Sequence, residues 1–379
     1  MARLLALLAL TTLALASPVE RRDTFVTDVA QCPALPARAA AEKSVHNLRP
    51  DEFDVVMAVG DSITAGAFAK GIQPGSLSTF DEWRGVSYAA GGDPGAITLP
   101  NIIKRYNPNV RGASVGHHGV ELCFGPLCPV GPVGWDSAKD QLNAAQSGAL
   151  AVNLLHEVVD YLVPQVKAMN ISKSAFKYLN LQIGSNDICQ FCASALTPIG
   201  AASFEANIRA TLEYVRKNIP NTVVNVVGTI PVSQIYPLTL NQPYCSQLIP
   251  AVPHFNIECS CALLPGLIGQ TTRALMDKWA AQYDERLLKI VKDYQKANYS
   301  DFAAIWQPLN IPLASFPIQS LSSVDCFHPS EATHARVAAE AWNRLPLSAS
   351  ARGQTFAYPD KPLIRCAQPE DRIQTKAAL

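Results

Sequence analysis

Phe53-Asp54-Val55-Val56-Met57-Ala58-Val59-Gly60-Asp61-Ser62-Ile63-Thr64 is the stretch on which the reading of this chain turns. The run from Phe53 to Val59 is apolar, short and rich in β-branched residues, and turn formers stop it abruptly, so it reads as a buried strand. Gly60 permits a sharp turn where a Cβ would clash. Ser62 then stands just past the carboxyl end of a strand, the position at which open α/β sheets place their chemistry. By itself a serine after a glycine is a common turn. It becomes a candidate nucleophile only in company.

The rest of the chain repeats the alternation of strand and helix. Lys177–Ile183 and Thr222–Thr229 read as further strands, the first ending in Gly184-Ser185-Asn186-Asp187. Apolar residues recur at helical spacing at Leu150, Leu154, Leu155, Val158 and Leu162, and again at Phe204, Ile208, Leu212, Val215 and Ile219. Two more stripes cover Leu275–Tyr294 and His334–Leu345, the latter with Ser330 as its expected N-cap. Thr98–Tyr106 reads as a short helix and Gly112–Gly116 as a short strand. Residues 65–100, 117–136, 233–268 and 303–324 read as loop or irregular structure. Strands alternating with helical stripes argue a parallel sheet covered on both faces.

The chain has 379 residues, 48% hydrophobic and 16% charged, enough for a large core. Its formal net charge is zero and no basic run occurs, which argues against a nucleic-acid partner. Arg3, the apolar run Leu4–Ala16 and the small residues closing it read as a secretory leader, residues 1–16. That run is too short to span a bilayer, which needs about 20 apolar residues. Residues 17–379 are then read as one secreted, extracellular domain with its core at about 53–345. Ten cysteines fit an oxidising compartment. Their spacing suggests bridges Cys123–Cys128 and Cys189–Cys192, and a bridge from Cys326 to Cys366 tying the tail to the core, although spacing does not determine connectivity. Asn170 and Asn298 stand in Asn-x-Ser sequons, expected at exposed positions.

Four short polar blocks remain: Gly60-Asp61-Ser62, Gly91-Gly92-Asp93, Gly184-Ser185-Asn186-Asp187 and Asp325-Cys326-Phe327-His328-Pro329. Acyl transfer needs a nucleophile, a base, a group to orient the base, and donors for a developing oxyanion. Ser62 can attack, and His328 can take its proton. Asp325, three residues upstream, can reach the other imidazole nitrogen if the chain turns. Asn186 offers a side-chain N–H and Gly92 an unobstructed main-chain N–H. Among the other histidines, His334 lies on the apolar face of the last helix and reads as core. His117-His118 lack metal-ligand spacing, and His46 and His254 have no chemical neighbours of note.

In their order these blocks resemble those of the SGNH (GDSL-type) hydrolases. Ala90-Gly91-Gly92-Asp93, Asn180–Cys189 with Cys192, Cys259-Ser260-Cys261 and Asp325–Glu331 are most similar to the phospholipase B-like lipases. The resemblance implies a three-layer α/β/α sandwich around a central, mainly parallel sheet of flavodoxin-like kind, without metal or other cofactor. It implies Ser62 as nucleophile, His328 as base, Asp325 as its partner, and an oxyanion hole from Ser62, Gly92 and Asn186. The implied activity is hydrolysis of lipid acyl esters, free or at a lipid interface, of the phospholipase B, lysophospholipase or lipase kind. A carbohydrate acetylesterase using the same groups is the alternative, and a secreted binding protein with an inert site the third reading. Substrate-pocket walls are expected in loops 64–90, 117–148 and 233–268.

Overall fold

The computed structural model describes residues 23–38, 42–129, 131–193, 200–249 and 259–376. The expected leader at 1–16, the Cys192 side chain and His254 lie outside the described residues. Four six-residue strands form the central sheet: β1 (Val55–Gly60), β2 (Lys177–Gln182), β3 (Thr222–Val227) and β4 (Phe302–Gln307). They pair in that order and all in parallel, with Val55, Lys177, Thr222 and Phe302 in register. β4 falls where irregular structure was expected. Its Phe-Ala-Ala-Ile-Trp-Gln sequence is short and carries two alanines, and only burial on both sides makes it a strand. The expected strand at 112–116 is instead an irregular segment making single bridges, Arg111 to Val55 and Ser114 to Gly91.

The sheet ascends in chain order, so its right-handed crossovers fall on one face. There the helical run from Leu154 to Ala168, α3 (Ala201–Asn218) and α4 (Gly266–Ala297) pack on Val55, Met57, Leu179, Leu181, Val224 and Val226. Before α3 come α1 (Ser62–Ala65) and α2 (Ser185–Ala193). The other face, with Val56, Tyr178, Val223 and Ile305, is closed by the helix Leu99–Lys104 and by α5 (Glu331–Arg344). Three layers result. Ser330 stands at the N-cap of α5, but its hydroxyl donates to the Gln319 carbonyl at 2.7 Å instead of capping the helix.

The free edge of β1 does not stay open. Ala58 N–H donates to Leu142 O at 3.0 Å, Ala144 N–H to Ala58 O at 2.8 Å, and Gln146 N–H to Gly60 O at 3.1 Å. Residues 142–146 thus run beside β1 and carry the next residues, Ser147 and Gly148, past its carboxyl end.

Disulfides staple the loops at that end. Cys123 is joined to Cys128, six positions that a tight loop can close. Cys189 is joined to Cys259, not to Cys192, because its place in α2 turns it toward the loop that precedes α4. Cys326 is joined to Cys245, and Cys366 to Cys32, so the tail is tied to the N-terminal lead-in and the bridge expected between Cys326 and Cys366 does not form. Asn170 and Asn298 are both exposed. Among the described residues no helix is long and apolar enough to cross a membrane.

Candidate active site

Strand β1 delivers the serine. Gly60 has φ +150°, and a Cβ there would stand 2.3 Å from the Gln182 carbonyl oxygen, so only glycine lets β1 end against β2 in this way. Asp61 is extended and caps α1, its Oδ1 accepting the Ile63 N–H at 3.0 Å. Ser62 is consequently the first residue of a helical turn, 2% exposed.

His328 arrives from the loop between β4 and α5. Its Nε2 lies 2.7 Å from Ser62 Oγ and its Nδ1 2.5 Å from Asp325 Oδ2. The other carboxylate oxygen, Asp325 Oδ1, accepts the N–H groups of Phe327 at 3.0 Å and His328 at 3.2 Å, which folds the loop into the turn the spacing requires. Cys326 has φ +52° inside that turn, and its bridge to Cys245 holds it there. The His328 carbonyl accepts from Ser322 N–H at 2.7 Å. Phe68 and Phe327 flank the imidazole edge-on at 5.1 and 5.3 Å between centroids, and the ring is fully buried. A carboxylate facing Nδ1 keeps the proton on that nitrogen and leaves Nε2 to accept from the serine hydroxyl. An arrangement of this kind can activate an alcohol as a nucleophile.

Asn186 sits in the first turn of α2, where Gly184 at φ +121° turns the chain out of β2. Its Nδ2 donates to Ala149 O at 3.0 Å, which brings Gly148 and Ala149 to the same end of the sheet as Ser62. Both oxygens of Asp187 receive the Ala151 N–H, at 3.2 and 3.0 Å. Burial raises the Asp187 carboxyl to about 7.

Gly92 is the expected donor that the structure does not support. Its N–H is spent on Ser114 O at 2.7 Å, and its neighbour Asp93 accepts the Gly116 N–H at 2.8 Å, so this block builds a loop. Gly148 offers a main-chain donor at the carboxyl end of β1 instead. It has φ +81°, and its N–H, like that of Ser62, has no hydrogen-bond partner among the described residues. The sequence signal was slight: one glycine in Asn143-Ala144-Ala145-Gln146-Ser147-Gly148, with no strand before it to mark the turn.

A buried charged group holds the Gly148 loop. Ser147 Oγ donates to Glu82 Oε1 at 2.5 Å, and Ser147 N–H to Glu121 O at 3.1 Å. Arg84, fully buried, contacts Glu82 Oε2 at 2.5 Å and Asp140 Oδ1 at 3.2 Å, and donates to Asn143 O at 3.1 Å. Glu82, His118 and Glu121 come close enough together to suggest a metal, but the guanidinium of Arg84 already answers these carboxylates. Burial works against a charged His118, yet its hydrogen bond to Asp140 lifts it to about 9. Burial pushes Glu121 up to about 8.

His334 is core. Its Nδ1 accepts the Tyr88 N–H at 3.2 Å, and burial followed by the nearby His328 lowers it to about 3. A largely apolar cavity lies beside it, lined by Ile63, Phe327 and Pro329, the chain neighbours of Ser62 and His328, though not by those two residues themselves. Ile63, Val227, Ile230, Leu313, Phe327 and Val337 wall it. Most of its lining comes from strand ends, residues 307–329 and α5, with only Tyr88 and Ile235 contributed by the loops expected to form it.

The GDSL-like Lipase/Acylhydrolase family model matches residues 56–341. Phospholipase B1, membrane-associated, of Mus musculus is 31% identical over 323 residues, covering 81% of this chain and 20% of that protein. The Rattus norvegicus protein of the same name is 29% identical over 341 residues, covering 86% and 22%. The chain therefore spans about a fifth of the length of these curated relatives. Among solved structures, an extracellular lipase from Streptomyces rimosus aligns with a TM-score of 0.34 at 14% identity, over 74% of this chain and 94% of that one.

Proposed function

The chain belongs to the GDSL-like lipase/acylhydrolase family, and from that premise we propose that it is a secreted serine ester hydrolase cleaving acyl esters of lipids, of the phospholipase B or lysophospholipase kind. The observation that carries the reading is the continuous line from Asp325 through His328 to Ser62 Oγ, with both hydrogen bonds at or under 2.7 Å.

The chemistry follows from that line. Ser62 Oγ attacks the ester carbonyl carbon while its proton passes to His328 Nε2, and the imidazolium is stabilised by Asp325. The carbonyl oxygen takes the electron pair of its π bond and faces the N–H groups of Ser62 and Gly148 and the Asn186 amide. Collapse breaks the bond to the alcohol, which leaves with the proton from Nε2. A water, deprotonated by the same nitrogen, then attacks the acyl-Ser62 ester and frees the fatty acid. The apolar cavity walled by Ile63, Val227 and Val337 supports an acyl chain as the group carried on Ser62. The bridged cysteines support an oxidising compartment, and the leader and the two sequons complete that part of the proposal.

Ser62→Ala is the test. Wild type should hydrolyse phosphatidylcholine or its lyso form and be labelled at Ser62 by a fluorophosphonate, and the variant should do neither. Retained esterase activity in Ser62→Ala ends the assignment. Faster turnover of acetylated xylan than of phospholipid would move it to the carbohydrate class.

A further inference from the structure

Exposed apolar side chains are not scattered evenly over this molecule. Among the described residues, the large ones fall almost wholly at the carboxyl end of the sheet, in its loops and in the first turns of helices returning from it; Phe25, Tyr299 and Leu363 stand apart. Leu77 is 87% exposed and Leu127 72%. Leu77 lies three residues before Phe80, and Leu127 five after Leu122. The segments carrying them are joined by a two-residue antiparallel pairing, Asp81–Glu82 with His118–Gly119. On one side Phe80 packs on Phe68 at 6.5 Å, and Phe68 packs on His328. On the other, Leu122 lies over Gly148, its Cδ1 2.9 Å from where a Cβ would be.

The same face is raised on α4. Thr229, just past β3, donates its N–H to Asp284 at 2.8 Å, so the helix before Asp284 rises beyond the strands. That part runs from Gly266, roughly 27 Å at 1.5 Å per residue. Its outer turn carries Leu267 and Ile268, 78% and 73% exposed. Both sequons lie at the opposite pole: Asn170 follows the helix that leads into β2, and Asn298 ends α4 ahead of β4.

Charge decides the occupant. Residues 74–82, 115–128, 235–249 and 260–269 contain no lysine or arginine. Nearby cations are engaged: Lys70 lies over the Trp83 ring at 4.8 Å and 3.9 Å from Glu331, and Arg273 donates to the Ala262 and Leu264 carbonyls and lies over Tyr236. A surface built for anionic headgroups would present basic side chains. This one presents leucines and no lysine or arginine, and His118, whose pKa is raised, is held by Asp140.

We propose that this face docks on an electrically neutral lipid layer, Leu77, Leu127, Leu267 and Ile268 entering the acyl region and setting Ser62 against esters held there. The proposal rests on the lipid-ester reading of the site and names where and how that substrate is met. Docking of this kind gains from buried apolar area and is insensitive to salt.

The experiment is co-sedimentation of the full chain with vesicles of dialkyl-ether phosphatidylcholine, which has no ester to cleave, alongside turnover of a monomeric short-chain nitrophenyl ester. Wild type should partition onto the vesicles, undiminished by added salt. Leu77→Ser/Leu127→Ser and Leu267→Ser/Ile268→Ser should each lower the partition coefficient by about tenfold or more, with monomeric ester turnover unchanged. Wild type that ignores neutral vesicles overturns the docking. So does binding that needs anionic lipid and is lost in salt, or a double variant that binds like wild type. A dimer that either variant dissociates would make the face a contact between copies and overturn it equally. Loss of all ester turnover in wild type would strike the reading of the site, not the vesicle measurement, so the two fail separately.

Discussion

Glu157 accepts the main-chain N–H of Gly60 through its Oε2 at 2.9 Å, across a chain separation of 97 residues. The carboxyl is fully buried and leaves a π-helical stretch, Glu157–Leu162, just ahead of Pro164, which has no N–H to continue an ordinary helix. The end of β1, which carries Ser62, is thus held from beneath by a side chain that nothing near Ser62 in the sequence announces. Burial, first among the causes, raises this carboxyl well above its ordinary range and so favours the neutral acid. Glu157→Gln should therefore keep both fold and activity. Glu157→Ala leaves the Gly60 N–H buried without a partner, a cost of about 1–3 kcal/mol, and should lower turnover by letting Ser62 shift. Urea melts and ester kinetics on both variants check this. An Ala variant as stable and active as the Gln variant would refute it.

Asp187 links stability to pH. Burial lifts its folded-state value from 3.8 to about 7. A raised folded value means that the folded chain holds the proton longer, so the stabilisation is complete below 3.8 and is lost as pH rises toward about 7. Asp187→Asn keeps an acceptor for the Ala151 N–H and removes this share of the slope. The difference in unfolding free energy between about pH 4 and pH 7 should shrink in the variant; an unchanged difference would count against the buried-acid account.

Two glycines separate two accounts of the oxyanion donors. At Gly148 a Cβ would meet Leu122 Cδ1 at 2.9 Å and the Cys123 carbonyl at 3.1 Å, with φ at +81°. Gly148→Ala should misplace that N–H and lower turnover by about 10²–10³, the usual loss of one such donor. At Gly92 a Cβ would meet the Ala113 Cβ at 2.7 Å. Gly92→Ala should cost stability, about 1–3 kcal/mol of overpacking, while the folded fraction stays active. The reverse pattern would restore Gly92 to the site.

Val337 projects from α5 into the apolar cavity. Val337→Trp fills that space, so kcat/KM measured over an acyl chain-length series should fall for long chains and hold for acetyl and butyryl esters. A uniform fall across the series would mean the cavity does not receive the acyl chain.

Much of the site was legible before any coordinates. Ser62, Asn186 and His328 each lie in a short block, and Asp325 lies three residues from His328, so the ordered set of blocks marks them as candidates where no single block does. The pairing of Cys123 with Cys128 is local. What escaped was long-range. Cys326 finds Cys245 and Cys366 finds Cys32 because the fold brings them together, and no spacing rule selects among ten cysteines. Gly148 escaped because its segment borrows regularity from β1, with no periodicity of its own.

The amino-acid order alone specified the alternation of strand and helix, the turn at Gly60 and the residue types of the chemistry, since propensity, periodicity and turn formation act over a few neighbours. Tertiary structure alone decided which N–H groups remain unpaired around Ser62, which cysteines bridge, and which leucines are left facing outward at one pole. Those outcomes depend on segments up to hundreds of residues apart being packed against one another, and closure of that packing among the described residues uses up one donor, at Gly92, while sparing another, at Gly148.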